Sequence, residues 1–162
     1  LDNSVTFNPA ERILNGGFEV YKSASLIPTS WKASKFFATD GKNGTHKAGK
    51  SSVMIGGNGA SKTLTESISI SGQSGDVITF SYYVKASSQP KAGTCQAVVT
   101  FSNAGAAVGA AQTLKCPTSA TFNWKKMTLN FNAPGTFDKV TVKITVKKTA
   151  GTFWFDSASL LK

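Results

Sequence analysis

The feature that most constrains this chain is a period-two alternation of apolar and polar residues that becomes clear from residue 62 onward. In Val77 to Lys85, Ile78, Phe80, Tyr82 and Val84 fall on one face, while Thr79, Ser81, Tyr83 and Lys85 fall on the other. Cys95, Ala97, Val99 and Phe101 oppose Gln96, Val98, Thr100 and Ser102. Met127, Leu129 and Phe131 oppose Trp124, Lys126, Thr128 and Asn130, and Val140, Val142, Ile144 and Val146 oppose Thr141, Lys143, Thr145 and Lys147. Successive side chains of an extended strand point to opposite faces, so each run reads as a strand with one apolar side. Such strands hide their apolar faces against a second sheet. The expectation is an all-β fold: a two-sheet antiparallel β-sandwich of roughly eight to ten strands.

Upstream of residue 62 the pattern is weaker. Phe18 to Tyr21 and Trp31 to Ala38 read as short strands, Ser52 to Ile55 as another, and Lys22 to Ser30 as loop. Asp40-Gly41-Lys42-Asn43-Gly44 is turn chemistry, and Asn43-Gly44-Thr45 is a glycosylation sequon. No stretch has the period of a convincing helix. At 162 residues the chain has the size of one domain, residues 1–162. It starts at Leu1 rather than Met, which suggests an excised piece or a processed protein, and a larger secreted parent is expected. No apolar run approaches the roughly 18 residues of a membrane span, and no signal peptide is recognisable.

Charge and residue inventory narrow the function. The net charge is +10, from 17 Lys and a single Arg. Arg is the residue that bonds guanine edges and phosphates in pairs, so its near absence argues against nucleic acid as partner. The lysines are spread along the chain and read as a solvated surface, with an attraction to acidic glycans or cell walls. The acids are Asp2, Glu11, Glu19, Asp40, Glu66, Asp76, Asp138 and Asp156. A glycosidase needs two carboxylates facing across a cleft, and most of these lie in turns. The lone His46 has no nucleophile motif beside it, so the chain is read as no enzyme, with no catalytic residue.

Cys95 and Cys116 stand at the outer ends of two strand-like runs, Cys95 to Phe101 and Gln112 to Cys116, that flank the loop Ser102 to Ala111. If the runs form a hairpin, the two cysteines meet at its base, and a disulfide would place the protein in an oxidising, extracellular or cell-surface compartment. Two free buried thiols are the alternative. On the polar faces, Tyr83 and Trp124 are aromatic where their neighbours are Ser, Thr and Lys. An exposed ring beside amides and hydroxyls suits sugar recognition, because pyranose C–H faces pack on the ring and an amide such as Gln96 pairs with hydroxyls. Tyr83, Gln96 and Trp124 are therefore expected on one solvent-facing sheet, with Trp31 and Tyr21 as additional walls.

Asn15-Gly16-Gly17-Phe18-Glu19 and Phe153-Trp154-Phe155-Asp156 each put a carboxylate beside apolar residues. Turn glycines expose carbonyl oxygens, and carbonyls with carboxylates are what Ca²⁺ selects. A structural calcium clasp between the two segments is one reading; a Gly-Gly turn with Glu19 paired to a lysine is the other.

These segments also carry a resemblance. Asn15 to Glu19, Pro28-Thr29-Ser30-Trp31, Gly49 to Ile55, Leu64 to Ile70, Ile78 to Ala86, Trp124 and Gly151 to Leu160 occur in the order found in the β-sandwich carbohydrate-binding modules of families 4, 9, 16 and 22. The likeness spans about residues 12 to 162. It implies a jelly-roll that binds polysaccharide without cleaving it, usually appended to a glycoside hydrolase, with a structural Ca²⁺ held by the side chains of Glu19 and Asp156 and the carbonyls of Gly17 and Lys50. It also implies β-1,4-linked glucan or mannan as the first ligand to test and xylan as the next, bound by a monomer. A cell-surface or adhesion module of the same fold, binding glycans or protein partners, is the alternative. Glu66 departs from the family, which commonly has Gln there, and Ser157 follows Asp156 where a second acid is common.

Overall fold

The alternating runs become ten strands in the computed structural model, which describes residues 10–162. They are β1 (Lys32–Ser34), β2 (Gly41–Asn43), β3 (Ser52–Gly56), β4 (Lys62–Ile68), β5 (Val77–Ser87), β6 (Thr94–Asn103), β7 (Ala106–Lys115), β8 (Phe122–Asn132), β9 (Lys139–Lys147) and β10 (Thr152–Leu161). They form two antiparallel five-stranded sheets, ordered β1-β4-β9-β6-β7 and β2-β3-β10-β5-β8. These are named below for their central strands, the β9 sheet and the β10 sheet. Asp2 lies outside the described residues.

Both sheets turn their apolar faces inward. Ile78, Phe80, Tyr82 and Val84 of β5 are wholly buried, as are Val140, Val142 and Ile144 of β9 and Phe153, Phe155 and Leu160 of β10. These residues belong to one continuous core, so the two sheets cannot fold as separate units. The Tyr82 hydroxyl, buried with its ring, donates to the Leu114 carbonyl at 2.8 Å and so ties the two sheets together.

The weakly patterned N-terminal third departs from expectation. Phe18 to Tyr21 is not a strand, and Trp31 to Ala38 shrinks to β1. The reason is backbone conformation: Asn15, Phe18 and Lys35 have φ of 51°, 52° and 59°, which an extended strand does not allow. The Asn15 side chain replaces the missing ladder. Its Oδ1 accepts from the amides of Glu19 and Val20, and its Nδ2 donates to the carbonyls of Val20 and Thr29. Gly16 is required at its position, since a Cβ there would lie 1.9 Å from the Ala158 carbonyl oxygen.

β6 and β7 form a tight hairpin, in which the expected ten-residue loop shortens to Ala104-Gly105 with positive φ at both positions. Cys95 and Cys116 are disulfide-bonded at its base, their Cα atoms 5.4 Å apart across 21 positions of sequence. Closing a loop of that length contributes on the order of 3 kcal/mol.

Candidate functional site

The outward face of the β10 sheet collects the aromatic residues that the polar faces carry. Tyr83 of β5 pairs with Lys126 of β8 and Asp156 of β10. Trp154 of β10 pairs with Lys85 of β5 and Met54 of β3, which places these three on the same outward side. Trp124 lies two residues before Lys126, hence on that side by alternation, beside the bulge where the β5–β8 register shifts between Val84 and Ala86. Trp124, Tyr83 and Trp154 are all partly exposed. Two strand spacings, about 10 Å, separate β8 from β10 across β5. The Lys85 ammonium sits over the Trp154 ring at 5.7 Å and that of Lys47 over Tyr83 at 5.4 Å. The Trp154 indole N–H donates to Asn43 Oδ1 at 3.2 Å, which occupies the amide of the sequon.

Two expected ligand residues, Gln96 and Trp31, stand elsewhere. Gln96 is on β6, in the β9 sheet, and faces away from Tyr83 and Trp124 across the whole sandwich. Correct face assignment within each strand could not reveal this, because sheet membership depends on which strands pair. Trp31 is buried at 5% exposure, packs on Phe18 with ring centroids 5.2 Å apart, and donates its indole N–H to the Leu14 carbonyl. It is a core residue and not a wall. Tyr21 is half-buried at the β2–β3 edge, with its hydroxyl 3.4 Å from the Ser52 carbonyl and Lys42 over its ring. Trp154 is the residue that sequence reading missed, grouped as it was with buried Phe153 and Phe155. Its signal was present, since strict alternation puts 154 on the opposite side from 153 and 155.

The segment Lys47 to Ser51 brings Glu19 and Asp156 together. Asp156 Oδ2 accepts from the amides of Lys47 and Ala48 at 2.7 and 3.0 Å, and Glu19 Oε1 accepts from those of Lys50 and Ser51 at 2.9 and 3.1 Å. Gly49, at φ +67°, lets the loop approach, since a Cβ there would lie 2.1 Å from Glu19 Oε1. Asp156 is fully buried with no cationic side chain within ion-pair distance among the described residues, whereas Glu19 is exposed and lies in an irregular segment rather than a strand. Desolvation opposes ionisation of Glu19, but the Lys50 and Ser51 amides and the Ser51 hydroxyl outweigh it and hold its carboxyl below the ordinary value. Tyr21 is pushed up to about 12 by burial, and the charges of Glu19 and Asp156 act in the same direction. The loop amides therefore take one oxygen of each carboxylate. Among the described residues, Glu19 Oε2 accepts from Ser51 Oγ at 3.3 Å, and Asp156 Oδ1 accepts from the amide and hydroxyl of Ser157 at 2.6 and 3.2 Å.

Of the five remaining described acids, Glu66 accepts from the Leu14 amide and the other four are committed to structure. Asp40 pairs with Lys62, Asp76 with Lys162, Asp138 accepts from the Ala104 amide, and Glu11 accepts from the amides of Arg12, Ile13 and Leu160. The imidazole of His46 is exposed and hydrogen-bonds the Gly44 carbonyl.

The sequence matches no protein-family model and no curated protein. Solved structures do share the fold. A tailspike protein of bacteriophage CBA120 is 16% identical with a TM-score of 0.73, over 94% of this chain and 21% of its own, so this chain spans about a fifth of that protein. A family 61 carbohydrate-binding module, solved with β-1,4-galactotriose, is 12% identical with a TM-score of 0.64, over 93% of this chain and 97% of its own. A cyclase from Fischerella is 14% identical with a TM-score of 0.63, over 95% and 97%. Carbohydrate-binding modules of families 4, 16 and 22 share the fold as well. At these identities the likeness establishes a β-sandwich fold shared with these proteins.

Proposed function

We propose that this chain is a non-catalytic polysaccharide-binding module, secreted or at the cell surface, that serves a larger protein such as a glycoside hydrolase. The observation that carries the reading is the placement of Trp124, Tyr83 and Trp154 on adjacent strands of one outward face among Lys, Ser, Thr and Asn residues. Rings about two strand spacings apart suit successive units of an extended β-1,4-linked glucan or mannan, with xylan as the next candidate. Lys85 and Lys47 lie over two of the rings but are held there by only about 0.5–1 kcal/mol each, so sugar faces can displace them. The ammonium groups can then donate to sugar hydroxyls from the rim. The disulfide supports the extracellular placement, and no helix among the described residues is long and apolar enough to cross a membrane.

Affinity gel electrophoresis on a neutral polysaccharide panel tests this. An open face buries little of its ligand, so binding of about −5 to −7 kcal/mol is expected, nearly independent of salt. Trp124→Ala removes most of it and Tyr83→Ala weakens it, with melting temperatures unchanged. Full retention by Trp124→Ala would move the site off this face, and a glycan array would then separate the adhesion reading.

A calcium ion is proposed between Glu19 and Asp156. What supports it is that one loop holds both carboxylates through one oxygen each, and that among the described residues no lysine answers the buried Asp156 charge. Main-chain carbonyls of Gly17 and Lys50 would complete an oxygen-rich ligand set. Bound there, Ca²⁺ would supply a structural cross-link between the N-terminal segment and the last strand. EDTA is then expected to lower the melting temperature by several degrees, with calcium restoring it. An unchanged melting temperature together with no metal by elemental analysis would remove the ion from this scheme.

A further inference from the structure

At the end of the β9 sheet, far from the aromatic face, β6 begins and β7 ends around the disulfide. A cavity of about 270 Å³ opens there, lined by Gln89, Thr94, Gln96, Lys115, Thr118 and Lys148, with Lys91 also on its wall. Its lining holds three lysines and no carboxylate. Lys148 is the informative one. It is only 6% exposed, and its ammonium donates to the carbonyls of Pro90 and Lys91 at 3.0 and 3.3 Å. Among the described residues no acid lies within ion-pair distance of it. Two carbonyls satisfy two of its protons but leave its charge uncompensated, and buried charges are normally paired.

Gln89 supplies the second observation. It is 4% exposed, its amide N–H groups are fixed by the carbonyls of Pro117 and Ser119 at 2.8 and 2.7 Å, and its Oε1 is buried with no hydrogen-bond partner among the described residues. A buried acceptor without a donor, next to a buried cation without an anion, is a costly arrangement for a purely structural corner.

We propose that this cavity binds a uronic-acid residue of an acidic saccharide, whose carboxylate pairs with Lys148 and Lys115 and whose hydroxyls meet Gln96 and Thr94. A carboxylate supplies the counter-charge that Lys148 lacks. The cavity suits one sugar unit, and chain beyond that unit would leave over the outward face of the β9 sheet. There Thr63, Thr145 and Gln96 lie in one row and Thr65, Lys143 and Val98 in the next, with no acid among them. The proposal goes beyond the neutral-polysaccharide reading and does not depend on it, because the two sites sit on different sheets.

Titration of the ¹⁵N-labelled protein with a galacturonate trisaccharide, its methyl ester and inorganic sulfate tests it. The free acid is expected to shift the amides of Thr94 to Gln96 and of Lys115, Cys116 and Thr118, and to bind at least about tenfold more tightly than the ester. Raising the salt should weaken it. Lys115→Gln, at an exposed position, should lower that affinity about tenfold with the fold intact. Lys148→Met should abolish acid binding where it folds. Equal binding of the ester, full binding by Lys115→Gln, no binding at millimolar acid, or shifts confined to Tyr83 and Trp124 would each overturn the assignment. Sulfate binding as tightly as the trisaccharide would reduce the cavity to an unselective anion hole and overturn its saccharide part.

Discussion

Lys62→Ala is expected to destabilise the domain by about 3–5 kcal/mol, a drop in melting temperature on the order of 10 °C. Lys62 opens β4 in the β9 sheet, and its ammonium meets Asp40 Oδ2 at 2.6 Å, with side-chain exposures of 2% and 0%. Asp40 precedes β2 of the other sheet. Its carboxylate also accepts from the amides of Phe37 and Gly56 at 2.6 and 2.8 Å, while the Phe37 ring lies 4.6 Å from the Lys62 ammonium. The pair is therefore a cross-sheet tie that replaces apolar packing at one corner of the core. Truncating Lys62 alone strands a buried carboxylate that two amides cannot neutralise. Removing both charges should cost much less, because the desolvation of two ions disappears with their attraction. A double-mutant cycle of Lys62→Met, Asp40→Asn and both together, followed by thermal melts, checks this. If the double variant is as unstable as Lys62→Met, the effect belongs to packing around the lysine stem.

That tie shows where sequence reading reaches and where it stops. Most strands from β4 onward were legible because burial of one face imposes a period that no surface requirement blurs, whereas β7, which buries no residue, was read as loop over its first six residues. The same period places Lys62 and Glu66 on the inward side with Leu64 and Ile68, yet their polarity hid them, and Asp40 looked like an ordinary turn residue. What makes them compatible with the core is a partner many positions away, supplied by sheet order. Gln96 failed for the same reason: its outward direction was readable, but its sheet was not. Trp31 failed differently. An indole after a Pro-Thr-Ser turn is equally good as a sugar wall or a core anchor, and only the Leu14 carbonyl and the Phe18 ring decide between them. The N-terminal third was least legible because side chains such as Asn15 do the work of a ladder there, and they leave no period behind. The buried apolar setting expected of both carboxylates holds for Asp156 and not for the exposed Glu19, and the loop amides that hold them carry no sequence signal at all.

Glu66→Gln is expected to stabilise the domain at alkaline pH by on the order of 3 kcal/mol and to change little in acid. Glu66 is 2% exposed on the inward side of β4. One oxygen accepts from the Leu14 amide at 2.9 Å, and the other is buried without a partner among the described residues. Burial, with a smaller contribution from the nearby Glu11 charge and against the pull of the Leu14 amide, raises its carboxyl from 4.5 to about 7. The folded state therefore holds this proton where the unfolded chain has released it. Between about pH 4.5 and 7 the folded form binds more protons, so stability falls as pH rises through that window and the full penalty applies above it. Glutamine keeps the shape and the acceptor for Leu14, replaces the orphaned oxygen with a neutral amide, and removes the titration. The difference in melting temperature between variant and parent should then grow from near zero at about pH 4 to roughly 5–10 °C at about pH 8. Glu19, whose carboxyl is held low, titrates in both proteins and cancels from this difference. A gap that stays constant with pH, or a variant less stable than the parent at alkaline pH, would mean that the Glu66 carboxylate is compensated inside the fold and that its second oxygen has a partner after all.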